Sequence, residues 1–309
     1  MYIIYNLLLI VVFVVFVLPY YTYRLFTEKG FSRRFRQSLG RVHNKEIEKV
    51  MRKDCIWIHG ASAGEIVATS PLVKQIRKEM PDRPILVSAF TVGGYNMAKQ
   101  IIPEADAIIF FPLDLPFVAE SMVKRIHPGI FMPVETELWP NFLRAIRERH
   151  IPVMMVNGRI SEKSVKTYRY LYGIWDDMLN TVSRFCMQSS IDADYIFSLG
   201  ADKNKIFVTG NTKFDQTYAE VTPEDYARYK EELGLGESYP IIMAGSTHPG
   251  EEKALFDAFK KVRDKYSDAR LVIAPRKTNR ADEIAKLAAS YGYETGYRSK
   301  MLEHPDMRK

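Results

Sequence analysis

From Cys55 onward, short apolar runs alternate with amphipathic stretches, and few folds accept segments in that order. The runs are CIWIH (55–59), PILVSAF (84–90), AIIFF (107–111), GIFMP (129–133), PVMMVN (152–157), RFCMQS (184–189) and KIFVTG (205–210). Helical patterns lie between them at Ile66–Met80, Phe117–Ile126, Leu138–Arg149 and Val165–Leu179. Strands that alternate with helices build βαβ units, hence a parallel sheet. The runs are almost continuously apolar, as strands covered on both faces are. After Gly210 the pattern breaks: residues 211–238 are polar and carry Pro223, Gly234 and Gly236. It restarts with YPIIMAGS (239–246), a helix around Glu251–Tyr266, RLVIAPR (270–276) and a helix around Ala281–Tyr291. The expected class is α/β, with a Rossmann-like domain over 54–210, a linker over 211–238 and a partial second domain over 239–309. Two strands and two helices bury too little apolar area to stand alone as a Rossmann half.

The first 53 residues follow another rule. Tyr2 to Leu18 carries no charge, and its length is close to the ~20 residues that cross a bilayer. A cleaved signal peptide would need a basic start and small residues at its end. Here Pro19-Tyr20-Tyr21 follows, then Arg24, Lys29, Arg33, Arg34, Arg36 and Arg41. Residues 1–20 read as an uncleaved single-pass anchor and 21–53 as a basic membrane-proximal segment. Positive charge after the span places the body on the cytoplasmic side, against anionic lipids of the inner membrane. That collar accounts for much of the net charge of +7, and no nucleic-acid-binding motif accompanies it. Cys55 and Cys186 form no C-x-x-C pair, which argues for a reducing compartment without disulfides or a zinc site.

Gly60 to Gly64 spell G-A-S-A-G, followed by Glu65. The pattern fits a serine-hydrolase elbow with Ser62 as nucleophile. That fold would need strands before the elbow, an HGGG-type loop and a triad histidine downstream. Few residues precede this one, and of His127, His150, His248 and His304 only His248 has a distinctive setting. The second reading is a small-residue turn at the end of the first strand, where open α/β sheets bind ligands. Glu65 is then either a favourable charge at a helix N-terminus or a general base facing the crevice. No G-x-G-x-x-G is present, so nothing points to a dinucleotide. Other strand ends carry candidates too: Glu135 and Glu137 in ETELWP, Asn157, Arg159 and Ser161 in NGRIS, Gly245-Ser246-Thr247 and Pro275-Arg276. Ser246 and Thr247 precede a helix, a setting suited to phosphate. Arg276 suits a bidentate phosphate or carboxylate.

Taken together, HGASAGE (59–65), PVETELWPNFL (133–143), NGRIS (157–161), GNTKFD (210–215), AGSTHPGEE (244–252) and IAPRK (273–277) resemble the 3-deoxy-D-manno-octulosonic acid (Kdo) transferases of lipopolysaccharide biosynthesis. The resemblance implies a GT-B architecture, two Rossmann-like domains across a cleft. It implies transfer of Kdo from CMP-Kdo to lipid A precursor, with inversion, no metal and no cofactor. Glu65 then maps onto the family's proposed base. Ser62, Gly64, Glu135, Glu137 and Arg159 fall on the acceptor side, and Ser246, Thr247, Pro275, Arg276 and Lys277 on the donor side. Lys277 stands where the family usually has histidine. Family members continue with a G-G-H-N segment and an E-P pair that this sequence lacks, so the donor site is expected to be incomplete. The chain would then be a fragment, or need a partner, and show little or no transfer alone. Two alternatives stand beside this: a membrane-anchored acceptor-binding module without catalysis, and the serine hydrolase.

Overall fold

The computed structural model describes residues 1–27, 31–162, 165, 173–215 and 220–303. The chain divides into two compact units, Met1–Thr217 and Tyr218–Lys309.

In the first unit, β1 (Ile56–His59), β2 (Ile85–Ala89), β3 (Ala107–Phe110) and β4 (Ile130–Pro133) form a parallel sheet ordered β3-β2-β1-β4. A second parallel sheet runs β5 (Met154–Gly158), β6 (Arg184–Met187), β7 (Ile206–Val208). Two parallel bridges, Phe131 to Val153 and Val134 to Val156, join β4 to β5. The combined order 3-2-1-4-5-6-7 reverses direction between β1 and β4, the kind of switch point where such sheets bind ligands. All of β1 and β2 is buried, as the continuous apolar runs require. Trp57 joins one core layer while Ile56 and Ile58 join the other, following the two-residue period of a strand.

Two helices of this unit, Val92–Ile101 and Ser190–Ser198, add to those read from the sequence. Each starts on a hydroxyl cap: Thr91 Oγ1 accepts from the Gly94 N–H at 3.0 Å, and Ser189 Oγ from the Asp192 N–H at 3.2 Å. Helix Pro140–Arg147 begins later than the expected Leu138, at a proline in its first turn, where the missing N–H costs nothing. Asp114 caps it from a distance, its carboxylate accepting the Asn141 and Phe142 N–H groups at 3.0 and 2.8 Å. Burial pushes the Asp114 carboxyl up to about 7 against the pull of those donors. Of the expected Val165–Leu179 helix, Ile174–Thr181 is helical. Residues 163–164 and 166–172, with Lys29 and His304, lie outside the described residues.

The apolar N-terminal segment is one helix, Tyr2–Thr27, with a π turn at Phe13–Val17. It is long and apolar enough to cross a membrane, as the anchor reading expects. Its first turns also bond to the rest of the unit. Tyr5 donates its hydroxyl to Asp114 Oδ2 at 3.0 Å, and Asn141 donates Nδ2–H to Asn6 Oδ1 at 2.8 Å. The Arg144 guanidinium lies 5.2 Å from the Tyr2 ring centre.

In the second unit, β8 (Ile241–Thr247) and β9 (Arg270–Pro275) pair in parallel. Phe256, Ile284 and Ala288 form a small core against Leu271 and Ile273. The stretch read as a linker contains a helix, Pro223–Glu232. Its proline sits in the first turn rather than ending anything, and Thr222 with Asp225 makes a capping box.

Candidate active site

β1 ends at His59, and the G-A-S-A-G turn leads into helix Ala63–Glu79. Ser62 is its N-cap. The Ser62 hydroxyl donates to Glu65 Oε1 at 2.7 Å, and the Ala61 N–H donates to Glu65 Oε2 at 2.7 Å. This is a capping box of the S-x-x-E type, reaching back one residue further than usual. Glu65 is thereby fixed in direction while remaining partly exposed. A carboxylate has about four acceptor positions, and two are used here. The cap and the candidate base are one side chain. Gly60 permits the fold-back, since a Cβ there would come within 3.2 Å of Glu65 Cβ. Gly64 is different: it is exposed, and a Cβ would meet only Ser62 Oγ at 3.9 Å. Its smallness leaves room outside the protein's own packing.

The hydrolase reading finds no support in this geometry. The partner of Ser62 is a carboxylate. His59 is buried, stacks on Phe111 at 3.7 Å and directs Nδ1 to the Ser88 carbonyl and hydroxyl, each at 3.1 Å. Ser62→Ala is therefore expected to leave labelling by a fluorophosphonate unchanged at background. It should cost ~1 kcal/mol of stability in a denaturant melt, the usual value of a lost serine cap. Labelling that depends on Ser62 would restore the nucleophile.

Across the switch point, β4 runs into Glu135, a non-glycine residue in the left-handed region (φ 56°). Its N–H donates to the Val156 carbonyl at 3.0 Å. Burial raises the Glu135 carboxyl above its usual range, and the Glu65 charge raises it further, while Lys213 and Arg159 pull it down. These influences place Glu65, Glu135, Arg159 and Lys213 in one electrostatic neighbourhood. Glu137 turns toward the protein instead. Its Oε2 accepts Trp139 Nε1–H at 3.0 Å and lies 3.6 Å from His59 Nε2. Thr136 Oγ1 donates to the Arg159 carbonyl at 3.0 Å, tying the two loops together.

Two residues here, Lys213 and His59, were not among the expected site residues, and a third, Asn157, was a strand-end candidate without an assigned role. Asn157, also left-handed (φ 52°), accepts the Thr212 N–H on Oδ1 at 3.1 Å. That bond fixes the Thr212–Asp215 turn, which brings Lys213 to the site. His59 supports Glu137 from below. The sequence signals were the asparagine at a strand end, where it tolerates φ above zero, and the lysine inside GNTKFD.

In the second unit the expected donor residues gather at the carboxyl ends of β8 and β9. Ser246 is exposed and left-handed (φ 61°). Thr247 is buried, and its carbonyl accepts the Arg276 N–H at 3.0 Å. Pro275 ends β9, with Arg276 and Lys277 exposed beyond it. Arg280, not singled out from sequence, pairs with buried Glu252 at 2.7 Å and holds that carboxyl down at about 2.

Residues 33–216 match the family model of the 3-deoxy-D-manno-octulosonic-acid transferases (kdotransferase). The chain is 32% identical to a bifunctional glycosyltransferase/methyltransferase of Fusobacterium nucleatum, over 79% of this chain and 38% of that protein. It is 31% identical to a 3-deoxy-D-manno-octulosonic acid transferase of Haemophilus influenzae, over 75% of this chain and 54% of that protein. The chain thus spans about half the length, or less, of these curated relatives. Among solved structures, a glycosyltransferase from Rickettsia africae superposes with a TM-score of 0.56 at 15% identity, covering 78% of this chain and 66% of that one. A UDP-GlcNAc 2-epimerase from Neisseria meningitidis bound to UDP-GlcNAc gives 0.54 at 13%, covering 79% and 73%. At such identities the likeness concerns the fold, which is α/β, Rossmann-like and of the GT-B type.

Proposed function

On the premise that this chain belongs to the 3-deoxy-D-manno-octulosonic-acid transferase family, we propose that it acts in transfer of Kdo from CMP-Kdo to lipid A precursor, with Glu65 as general base. The observation that carries the reading is the Glu65 carboxylate fixed at the switch-point crevice by the Ala61 N–H and the Ser62 hydroxyl; its charge raises the Glu135 carboxyl, which Lys213 and Arg159 pull down. In this mechanism a glucosamine hydroxyl of the acceptor gives its proton to Glu65 while its oxygen attacks the anomeric carbon of Kdo. The bond to CMP breaks with its electron pair, and the anomeric configuration inverts. Fixing the base in advance saves the cost of orienting it at the moment of reaction. Arg159 and Lys213 supply positive charge against the acceptor's phosphate, and Glu135 accepts a hydrogen bond from a sugar hydroxyl. Ser62 and Gly64 border the entry, the glycine by leaving space. Glu137 contributes by holding its loop through Trp139 and His59. Ser246, Thr247, Pro275, Arg276 and Lys277 are assigned to the nucleotide sugar. The chemistry needs no metal in this reading, because the leaving group is a phosphate monoester anion met by arginine and backbone N–H groups. The protein works at the cytoplasmic face of the inner membrane, held there by its N-terminal helix and basic collar.

The test combines two readouts on the 309-residue chain: binding of tetraacyl lipid A precursor, and acceptor-dependent release of CMP from CMP-Kdo. Binding and release together support the proposal. The same chain joined to a relative's C-terminal region is measured in parallel: release there supports the proposal, and binding without release in both forms supports the acceptor-binding module. Absence of acceptor binding removes both.

A further inference from the structure

A helix of 26 residues is ~39 Å long at 1.5 Å per residue. It would cross the ~30 Å hydrocarbon layer with its first and last turns on opposite sides. The contacts of this helix do not permit that. Its first turns bond Asp114 and Asn141 through Tyr5 and Asn6. Its far end packs Tyr21 edge-on to Phe31 and Phe35 at 5.2 and 5.9 Å, with the buried Arg34 guanidinium 5.3 Å from the Tyr21 ring. Both ends are fastened to one unit, and one unit cannot stand on both sides of a bilayer.

Between the ends, exposure follows a stripe. Tyr2, Tyr5, Asn6, Leu9, Phe13, Val17 and Tyr21 are the less exposed positions, spaced mostly three or four apart. From Leu9 each step is four residues, which in a plain α-helix turns the stripe by ~40° per step. The π turn at Phe13–Val17 widens the helix at that place and keeps the stripe on one side. The other side is apolar and open: Ile3, Leu7, Leu8, Val11, Val15 and Phe16 are each more than half exposed. Arg33, Arg36 and Arg41, just beyond the helix, are exposed as well. An open apolar face next to a row of arginines matches the boundary between acyl chains and anionic headgroups.

We propose that the Tyr2–Thr27 helix lies in the plane of an anionic leaflet, clasped to the body at both ends, and does not cross the membrane. This rests on the membrane association proposed above and specifies its geometry. The placement bears on the site. Arg34 also lies 5.3 Å from the Phe90 ring, and Phe90 stacks on Trp139 at 5.8 Å. Trp139 precedes Pro140 and Asn141, so both clasps reach the loop that follows Glu135.

The test uses membranes from cells expressing the whole chain with Asn6→Cys and Asn141→Cys, and a second form with an N-terminal epitope tag. The expected results are sedimentation with membranes and a short bismaleimide cross-link that keeps the N-terminal peptide attached after proteolysis. The tag should resist protease added to spheroplasts and be lost once the cells are opened. A tag digested in intact spheroplasts, with no cross-link, overturns the in-plane helix while leaving membrane association standing. A protein that stays in the soluble fraction overturns both. Either form with only one of the two substitutions, which keeps Cys55 and Cys186, must give no cross-link.

Discussion

In the chain joined to a relative's C-terminal region, Glu65→Gln is expected to lower acceptor-dependent CMP release by ~10²–10⁴-fold, the usual contribution of a general base. Acceptor binding should persist. The substitution separates the two duties of this side chain because they differ in size. As a cap, glutamine still accepts the Ala61 N–H, and the Ser62 hydroxyl can turn to another acceptor. Losing the charge near the helix N-terminus costs ~0.3–1 kcal/mol. As a base, glutamine fails outright, and the rate loss corresponds to ~3–5 kcal/mol of barrier. A large loss of turnover with a nearly unchanged melting curve therefore marks catalysis. Equal turnover in both forms would leave Glu65 a capping residue only, which its hydrogen bonds alone would also explain.

Trp57→Ala is expected to cost ~3–5 kcal/mol, as truncation of a fully buried aromatic does. Trp57 lies in β1 with no exposure, edge-on to Phe111, Phe131 and Phe142 at 6.2, 5.9 and 5.1 Å. Its Nε1–H donates to Ser88 Oγ at 2.8 Å, and that hydroxyl also meets His59 Nδ1 at 3.1 Å. Truncation empties the centre of the cluster and unfastens the histidine behind Glu137. Since whole-domain stability is typically ~5–15 kcal/mol, the variant should melt at much lower denaturant and bind acceptor more weakly. Trp57→Phe, which keeps most of the ring area, should lose far less. A truncation cost below ~1 kcal/mol, the size of a single hydrogen bond, would mean that the cluster is looser than its ring distances indicate.

Much of the fold was legible from sequence because it rests on local signals. A strand buried on both faces has to be a continuous apolar run, and β1 and β2 were visible as such; β7, β8 and β9 read the same way, yet Phe207, Val208 and Met243 are exposed. The Val92–Ile101 helix was not, because Gly93 and Gly94 lower helix propensity. Gly94 has a reason beyond the helix: a Cβ there would come within 3.1 Å of the Ala61 carbonyl, beside the Ser62 cap. Pro223 misled in the opposite way, since proline reads as a breaker unless the cap before it is recognised. At the site, Glu65 and Glu135 were findable as acidic residues at strand ends. Lys213 arrives through a hydrogen bond between Asn157 and Thr212, far apart in the chain, and no spacing rule reports that. The same holds for the N-terminal helix. Its hydropathy was plain, but the bonds of Tyr5 and Asn6 to Asp114 and Asn141 join residues more than a hundred positions apart.

The row of open apolar side chains on that helix changes how substrate supply is counted. On the proposed reading, a body lying flat on a leaflet meets its lipid acceptor by lateral diffusion, at a rate set by molecules per unit area. Diluting the acceptor with other lipid then slows the enzyme even when its total amount in the tube is constant. A water-soluble nucleotide sugar, by contrast, continues to arrive from the bulk.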